Sequence, residues 1–198
     1  AGADGMVGGG GNDTLNGGLG GDFLFGGSFT SGGALAPGSG NDTLNGGDGN
    51  DGLWGQDGND TINGDAGDDY IEAGAGNDVA RGGAGNEFIL GQDGDDTLNG
   101  GSGFDYEYGG LGADTFLFAA GDSYDSVFDF KAAEGDKLSF AGFGFANAAA
   151  AMAEMVDLST PGSPVVRFFH AATNDQLTIF GVTLADLNGT NVLVGLAA

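Results

Sequence analysis

The sequence predicts an all-β protein in which a short unit repeats many times, followed by a smaller region with short strands and one helix. A nine-residue period runs through residues 1–117, and each period holds three residues of strand character between glycine-rich turns. Aromatic and β-branched residues gather in short runs after about residue 118. We therefore expect two regions, a repetitive one at 1–117 and a terminal one at 118–198.

The composition is strongly acidic and rich in glycine. Of the 198 residues, 45 are glycine, and 29 acidic residues against 4 lysines and arginines give a net charge of −25. Such a chain repels nucleic acid and anionic membranes and attracts cations. Because each glycine loses much backbone entropy on folding, a further source of stabilisation is needed. There is no cysteine, so disulfides are excluded, and no apolar run is long enough to predict a membrane span.

The repeated unit is G-G-x-G-x-D-x-U-x, where U is apolar. Units follow one another from residue 37 to 117, two more lie at 8–16 and 17–25, and a partial unit precedes them. We interpret residues 26–36 as one unit lengthened by two residues. The glycines permit positive φ, the aspartate supplies a charged oxygen, and x-U-x suffices for a short strand with U on one face. The inward row contains Met6, Leu15, Leu24, Leu35, Leu44, Leu53, Ile62, Ile71, Ala80, Ile89, Leu98, Glu107 and Phe116.

This unit resembles the calcium-binding repeat of RTX, or hemolysin-type, proteins. The resemblance implies a right-handed parallel β-roll over about residues 8–117, in which two units make one lap and strands alternate between two parallel sheets. It also implies calcium ions between consecutive laps, held by the aspartate at the sixth position of the unit and by loop carbonyls. Calcium takes about six to eight oxygen ligands, so carboxylates and carbonyls suit it.

The resemblance assigns the ligand roles for several calcium ions to two sets of groups. The carboxylates are those of Asp4, Asp13, Asp22, Asp42, Asp51, Asp60, Asp69, Asp78, Glu87, Asp96, Asp105 and Asp114. The loop carbonyls are those of Gly38, Gly40, Gly46, Asp48, Gly49, Gly55, Asp57, Gly58, Gly64, Ala66, Gly67, Ala73, Ala75, Gly82, Ala84, Gly91, Asp93, Gly100, Ser102, Gly109 and Leu111.

Counting units distributes these carboxylates over two edges of the roll. One edge is predicted to carry an unbroken row of Asp4, Asp22, Asp42, Asp60, Asp78, Asp96 and Asp114. The other carries Asp13, then the turn 26–36 without a carboxylate, then Asp51, Asp69, Glu87 and Asp105. We expect the second edge to lose its sites around residues 26–36. A distorted, weak or empty site is also expected beside Glu87, because its extra methylene pushes the carboxylate deeper into a loop built for aspartate.

Some residues depart from the pattern. Gln56, Asp65 and Gln92 replace the second glycine, and Pro37 and Ala73 replace the first; we expect them to be tolerated where φ is negative. An acid in the apolar row is harder to accommodate. We expect either that the last turns are rearranged around Glu107 or that it meets a base, which could be Lys131, Lys137 or Arg167.

One outward face of the roll is predicted to be aromatic. Its residues, here called the aromatic stripe, are Trp54, Tyr70, Phe88, Leu90, Tyr106 and Tyr108. An exposed apolar patch of this size usually has a partner. Three interpretations stay open: the terminal region or a second copy of the roll covers the stripe, the stripe stacks on sugar rings, or it is incidental.

The terminal region has local signals of its own. Asn147 is a good N-cap for a short helix, VVRFFH and QLTIFGV predict a hairpin, and a last turn leads into NVLVG. The region is similar to the segment that closes the roll in serralysin-type proteases and alginate-epimerase R-modules, and its end resembles that of type I secretion substrates. We further predict that Asp122, Asp125, Asp129 and Asp136 hold another calcium ion.

Enzymatic motifs are missing from this sequence. H-E-x-x-H and G-x-S-x-G do not occur, and the single histidine, His170, is expected to be structural. We therefore expect no enzyme here, although the full-length parent could be a secreted hydrolase or epimerase. The start, AGADGMVGG, lacks the features of a signal peptide, so we expect a fragment of a longer chain.

The predicted function is a calcium-binding module that is disordered at low calcium and folds outside the cell after type I secretion. Besides calcium, the expected partners are the secretion machinery and, through the aromatic stripe, a second copy or a polysaccharide. The alternative is a module that binds an alginate-like carbohydrate for a secreted polysaccharide-modifying enzyme.

Overall fold

The structure, a computed structural model, describes residues 2–29, 35–36 and 40–194, which form an all-β solenoid with one short helix. The helix is α1 (Ala148–Met152), and a single 3-10 turn spans Leu184–Asp186. The strands are β1 (Gly5–Val7), β2 (Thr14–Leu19), β3 (Phe23–Phe25), β4 (Ser28–Phe29), β5 (Leu35–Ala36), β6 (Thr43–Asp48), β7 (Gly52–Asp57), β8 (Thr61–Ala66), β9 (Tyr70–Ala75), β10 (Val79–Gly85), β11 (Phe88–Asp93), β12 (Thr97–Leu111), β13 (Thr115–Ala119), β14 (Ser123–Val127), β15 (Lys137–Ala141), β16 (Met155–Asp157), β17 (Val165–His170), β18 (Asp175–Phe180) and β19 (Val192–Val194).

The strands of the repeats stack in parallel on two faces. The first face consists of β1, β3, β7, β9, β11 and the second half of β12. The second face consists of β2, β6, β8, β10 and the first half of β12. Between β6 and β12 each strand pairs with the strand 18 residues later, for example Leu44 beside Ile62. Two nine-residue units therefore make one lap, and the predicted parallel β-roll is confirmed.

The strand pairing leaves no place in the roll for a separate unit at residues 26–36, so this part of the prediction was wrong. β2 pairs directly with β6, which places Leu15 beside Leu44, and β3 pairs with β7. β4 and β5 pair only with each other, in antiparallel fashion, so Leu35 is not paired with any strand of the inward row. Gly26 takes the first-glycine place beside Asp42 and the carbonyl of Gly55, so residues 28–38, here called the excursion, add no unit to the roll.

The core of the roll is the inward row that the period predicts. Its members between Leu24 and Phe116 are buried, while Met6 and Leu15 at the open end are partly buried. One apolar side chain per unit makes this core thin. Glu107 also lies in the row, flanked by Ile89 on one side and Val127 on the other.

The terminal region continues the roll. β14 and β18 extend the first face, and β13, β15 and β19 extend the second. The predicted hairpin is β17 with β18, and Asn147 caps α1 by accepting a hydrogen bond from the backbone of Ala150. The predicted boundary at 117 falls inside β13, so a separation into two domains stays a prediction. None of the helices in the described part of the chain is long and apolar enough to cross a membrane.

The second position of the unit has a left-handed backbone. Gln56, Asp65 and Gln92 have φ values of 80°, 75° and 81°, so our expectation of negative φ was wrong. Glycines at the same position, such as Gly74 at 120°, also have positive φ. The loop adopts one shape in every lap because it stacks between two others, and each non-glycine residue accepts a strain of roughly 1 kcal/mol.

Candidate metal centres

The sixth-position aspartates form two rows along the loop edges of the roll. In most steps the backbone N–H of one aspartate donates to Oδ1 of the aspartate in the next lap, as from Asp51 to Asp69 at 2.8 Å and from Asp42 to Asp60 at 2.7 Å. The first carboxylate ladder consists of Asp13, Asp42, Asp60, Asp78, Asp96 and Asp114. The second carboxylate ladder consists of Asp4, Asp22, Asp51, Asp69, Glu87 and Asp105.

These assignments correct the predicted edges upstream of the excursion. Asp13 donates to Asp42 and Asp22 donates to Asp51, across 29 residues of sequence in each case. Both ladders are therefore continuous past residues 26–36, and no site needs to be lost there. The counting failed because the extra residues leave the roll and add no lap.

In eight of the ladder aspartates the other oxygen is buried and has no hydrogen-bond partner. These oxygens are Oδ2 of Asp13, Asp22, Asp51, Asp60, Asp69, Asp78, Asp96 and Asp105. Next to seven of them lies the first-position glycine of the same loop. A Cβ added to Gly64, for instance, would meet Oδ2 of Asp69 and the carbonyl of Gly82 in the next lap. The loop thus keeps a carboxylate oxygen and a carbonyl oxygen together at a point where no side chain fits.

Burial makes these carboxylates reluctant to carry a charge. Loss of hydration on burial raises the pKa of Asp69 and Asp78 to about 7. The hydrogen bond from the neighbouring lap is the next largest effect and lowers these pKa values, but by less. The pKa of Asp60 rises to about 6 for the same reasons. A buried charged oxygen needs a cation or a donor. Cation binding fits this donor set, which consists of hard oxygens alone.

Backbone carbonyls would have to complete any such site. In the described part of the chain, no three acidic or histidine side chains are grouped as a metal-binding cluster. The first-position carbonyls of Gly82, Gly100 and Gly109 lie beside the side chains of ladder acids, and their role as ligands stays a prediction. Several third-position carbonyls already accept a backbone hydrogen bond, as Ala66 does from Gly49 at 2.6 Å. Gly38 and Pro37 lie outside the described residues.

Glu87 interrupts the second ladder. Its backbone N–H donates to Asp105 as the ladder requires, at 2.9 Å, but both of its carboxylate oxygens are buried without a partner. Its Cγ lies 2.5 Å from the place where a Cβ of Gly82 would stand, whereas other loops have a carboxylate oxygen there. The extra methylene therefore fills the space beside the carbonyl of Gly100. Burial and the nearby carboxylate of Asp105 raise the pKa of Glu87 strongly.

The first ladder ends at two aspartates and a lysine that follow the repeats in sequence. Asp136 accepts the backbone N–H of Asp114 through Oδ1 and that of Lys131 through Oδ2. Asp129 accepts the N–H groups of Gly109 and Gly110, and Nζ of Lys131 donates to the carbonyl of Gly110 at 2.6 Å. The last loop of this edge is thus closed by a carboxylate and an ammonium group.

The second ladder ends differently. Asp125 lies beside Asp105 in the strand register, and Glu107 points into the core two residues further on. The ion pairs of the described residues join Lys131 to Glu134 and His170 to Glu154. Our expectation that Glu107 meets a base was therefore wrong. The predicted site of four aspartates was also wrong, because Asp129 and Asp136 belong to the other ladder end.

Two further side-chain rows escaped the sequence analysis. At the fifth position, Oδ1 of Asn41 accepts the backbone N–H of Asn59 in the next lap at 2.9 Å, and Asn59 does the same for Asn77. At the ninth position, Nδ2 of Asn63 donates to Oδ1 of Asn45 at 2.8 Å. Asparagine or aspartate recurs at the fifth position of most units, and that signal could have revealed the first of these rows.

The aromatic stripe exists, and its rings stack on one another. Trp54 stacks on Phe25 with centroids 4.6 Å apart and contacts Tyr70, which stacks on Phe88 at 5.7 Å. In the terminal region the row is extended by Phe128, 5.0 Å from Tyr108, and by Phe180. This part of the terminal region therefore lengthens the stripe and does not lie over it.

The lone histidine lies at the other side of the terminal region. Nδ1 of His170 is 2.6 Å from Oε2 of Glu154, and the rings of Phe143, Phe145 and Phe168 surround the imidazole. These contacts are those of a packed strand residue.

The repeats match a known family model. The model of the RTX calcium-binding nonapeptide repeat matches in four copies, at residues 1–30, 38–71, 72–107 and 90–124, which together cover more than half of the chain. The chain belongs to this family. The RTX repeats account for both carboxylate ladders, and calcium is the cation that repeats of this family bind.

Solved structures with similarity to this RTX chain include an extracellular lipase and two subunits of an epimerase. The extracellular lipase LipA from Serratia marcescens is 19% identical, with a TM-score of 0.47; the match covers 98% of this chain and 38% of the lipase. The AlgE6R2 and AlgE6R3 subunits of a mannuronan C5-epimerase from Azotobacter vinelandii are 21% and 20% identical, with TM-scores of 0.40 and 0.33. Those matches cover 96% and 95% of this chain and 91% and 81% of the subunits. No curated protein sequence matched the chain.

Proposed function

We propose that this RTX chain is a calcium-dependent folding and export module of a larger secreted protein. The observation that carries the proposal is the row of buried, unpartnered Oδ2 atoms, six of which lie beside a backbone carbonyl of the next lap. This arrangement of two oxygen types recurs along both ladders, and in those six loops a glycine without a side chain stands next to it. The site residues are the sixth-position carboxylates of both ladders and the first-position carbonyls.

Without a bound cation, few interactions in the fold offset the loss of chain entropy and the repulsion between acidic side chains. The net charge of −25 and the 45 glycines favour an expanded chain, and the inward row offers one apolar side chain per unit. When bound, calcium supplies positive charge and accepts about six to eight oxygens. Since the ladder geometry exists only in the stacked laps, the binding free energy contributes directly to folding.

The same coupling suits secretion. A chain that is disordered at low calcium is able to pass through a narrow channel, and extracellular calcium modules bind at about 10⁻⁴–10⁻³ M. We therefore assign the module to the extracellular side after type I export. We also propose that the chain has no catalytic activity of its own, because the acids that would serve in acid–base chemistry belong to the ladders.

The test is calcium-dependent folding with a matched pair of variants. Circular dichroism and sedimentation are recorded for the chain in chelator and in millimolar calcium, and we expect an expanded chain to become compact and rich in β structure. Asp51→Asn removes a ladder carboxylate, and Asp48→Asn removes an exposed one from the same loop. Only the first should require more calcium. Identical spectra with and without calcium would refute the proposal.

A cleft on the first face favours the alternative function, carbohydrate binding. It has a volume of about 220 Å³ and is lined by Phe104, Tyr106, Tyr124, Arg167 and Gln176, among others. Exposed aromatic rings and an arginine suit a sugar that carries a carboxylate. Calorimetric titration with oligo-alginate and with neutral glycans, both in calcium, tests this candidate. An Arg167→Ala variant that binds the acidic sugar as well as the parent does would count against it.

A further inference from the structure

The two carboxylate ladders end in opposite electrostatic situations. At the end of the first ladder, both oxygens of Asp136 accept backbone N–H groups, and the ammonium of Lys131 lies 2.6 Å from the carbonyl of Gly110. The chain thus supplies the positive charge for this edge itself. This end therefore has an ammonium group among its carboxylates.

At the end of the second ladder, acids accumulate, and among the described residues none of them forms an ion pair, although Arg167 lines the same cleft. Asp105, Glu107 and Asp125 are only 1%, 2% and 4% exposed. Each has one buried oxygen without a hydrogen-bond partner: Oδ2 of Asp105, Oε1 of Glu107 and Oδ1 of Asp125. Burial raises the pKa of Asp125, and the nearby carboxylates of Glu107 and Asp105 raise it further, so the three acids are neighbours. Among the described residues, the ion pairs all lie elsewhere.

The position of Glu107 is what sets this end apart from the repeats. In the other laps between Leu24 and Phe116 the inward row is apolar, so this acid brings a carboxylate into the core beneath the loop. Burial raises the pKa of Glu107 and the backbone of Gly100 opposes this, so the carboxylate lies near the first-position residue of its own loop. In the next strand, the residue beside Asp125 is Leu177, so the row of acids ends at Asp125.

We propose that Asp105, Glu107 and Asp125 bind one further divalent cation of calcium size, with Glu107 as a ligand from the core. The three side chains do not yet surround one point, so binding draws them together and backbone carbonyls complete the shell. Asp105 and Asp125 also line the 220 Å³ cleft, which gives an ion access from solvent. The proposal rests on the proposed calcium-dependent folding, since the junction exists only in the folded roll.

The rival explanation is that Glu107 is a core acid that keeps its proton. Both explanations predict that Glu107→Leu stabilises the chain in chelator, because leucine is the usual residue of the row and no charge is then buried. They differ in the number of ions. A ligand role predicts that Glu107→Leu and Glu107→Gln each bind one ion fewer than the parent, whereas a protonated acid predicts no change.

The experiment counts calcium ions per folded chain by equilibrium dialysis with elemental analysis, at saturating calcium. The parent, both Glu107 variants and the control Glu134→Gln are compared, and circular dichroism verifies folding. Glu134 is an exposed acid at the other ladder end, so its variant should bind as many ions as the parent. The Glu107→Leu variant still tests the proposal if the Glu107→Gln variant does not fold.

Loss of one ion in both Glu107 variants, with folding retained, supports the proposal. Unchanged ion numbers overturn it while leaving calcium-dependent folding intact. Loss of all ions together with the β signal in both variants also overturns it, since Glu107 would then be needed for the roll as a whole. If the parent binds no calcium, the proposed function fails as well.

Discussion

Shortening Glu87 to aspartate should repair the second carboxylate ladder. In the neighbouring step, Oδ1 of Asp69 accepts the N–H of Asp51 at 2.8 Å, and its Oδ2 stays free beside a carbonyl. The longer side chain of Glu87 instead places a methylene in that space and leaves both of its oxygens without partners. Glu87→Asp should therefore restore both the acceptor for the N–H of Asp69 and the free oxygen.

The size of the effect follows from the bonds exchanged. A hydrogen bond to a charged group contributes about 1.5–3 kcal/mol. Removal of one buried methylene costs about 0.8 kcal/mol. The net gain at saturating calcium is thus about 1–2 kcal/mol, before any gain in calcium affinity. With a urea dependence of about 2 kcal/mol per molar, the unfolding midpoint should rise by roughly 0.5–1 M.

Urea unfolding is followed through Trp54, the single tryptophan, whose ring stacks on Phe25. Two controls bracket the result. Glu87→Gln keeps the length and should not stabilise at saturating calcium, whereas Asp51→Glu introduces the same length into an intact step and should destabilise by a similar amount. An unchanged midpoint for Glu87→Asp, or a harmless Asp51→Glu, would show that side-chain length does not decide the ladder.

Three other outcomes are expected. Without calcium, the chain should show more β structure at pH about 5 than at pH about 8 by circular dichroism. The pKa of Asp78 is about 7 in the fold against an ordinary 3.8, so such carboxyls stabilise the folded state fully below about pH 4 and lose this contribution as the pH rises through 7. More β structure at pH about 8 than at pH about 5 would contradict this prediction. Trp54→Ala should lower the free energy of unfolding by about 2 kcal/mol, and Trp54→Phe should lower it by less, as measured by urea unfolding followed by circular dichroism. Equal stability of the parent and both variants would show that the stacked stripe has no structural role. Deletion of residues 28–38 should leave a chain that folds in calcium, since it joins Gly26 and Gly27 to the rest of a regular loop, and failure to fold would mean that the excursion supports the roll.

The repeat period predicted the inward row and the regular spacing of the sixth-position carboxylates. The parallel stacking with two units per lap was implied by the resemblance to RTX repeats. The cap at Asn147 and the hairpin of β17 and β18 followed from local signals as well. Each of these features depends on residues that are close in sequence or regularly spaced.

The excursion shows where counting along the sequence fails. Residues 26–36 have nearly the length of one unit, and only the direct pairing of β2 with β6 shows that they add no lap. The missing sixth-position aspartate was visible, and so was the completion of a regular loop by Gly26, Gly27 and Gly40. Nothing local distinguishes a lengthened lap from a departure, because the difference lies in which loops touch.

The sequence alone determined the chemistry of this protein: hard oxygen donors in a fixed period, one apolar side chain per unit and a large negative charge. Tertiary structure decided which carboxylates are neighbours, which ladder end has its own ammonium group, and that Glu107 is buried among acids. The reason is physical. Ligand type and strand period are properties of single residues and short spacings, whereas partnership and burial arise only when laps 18 residues apart come into contact.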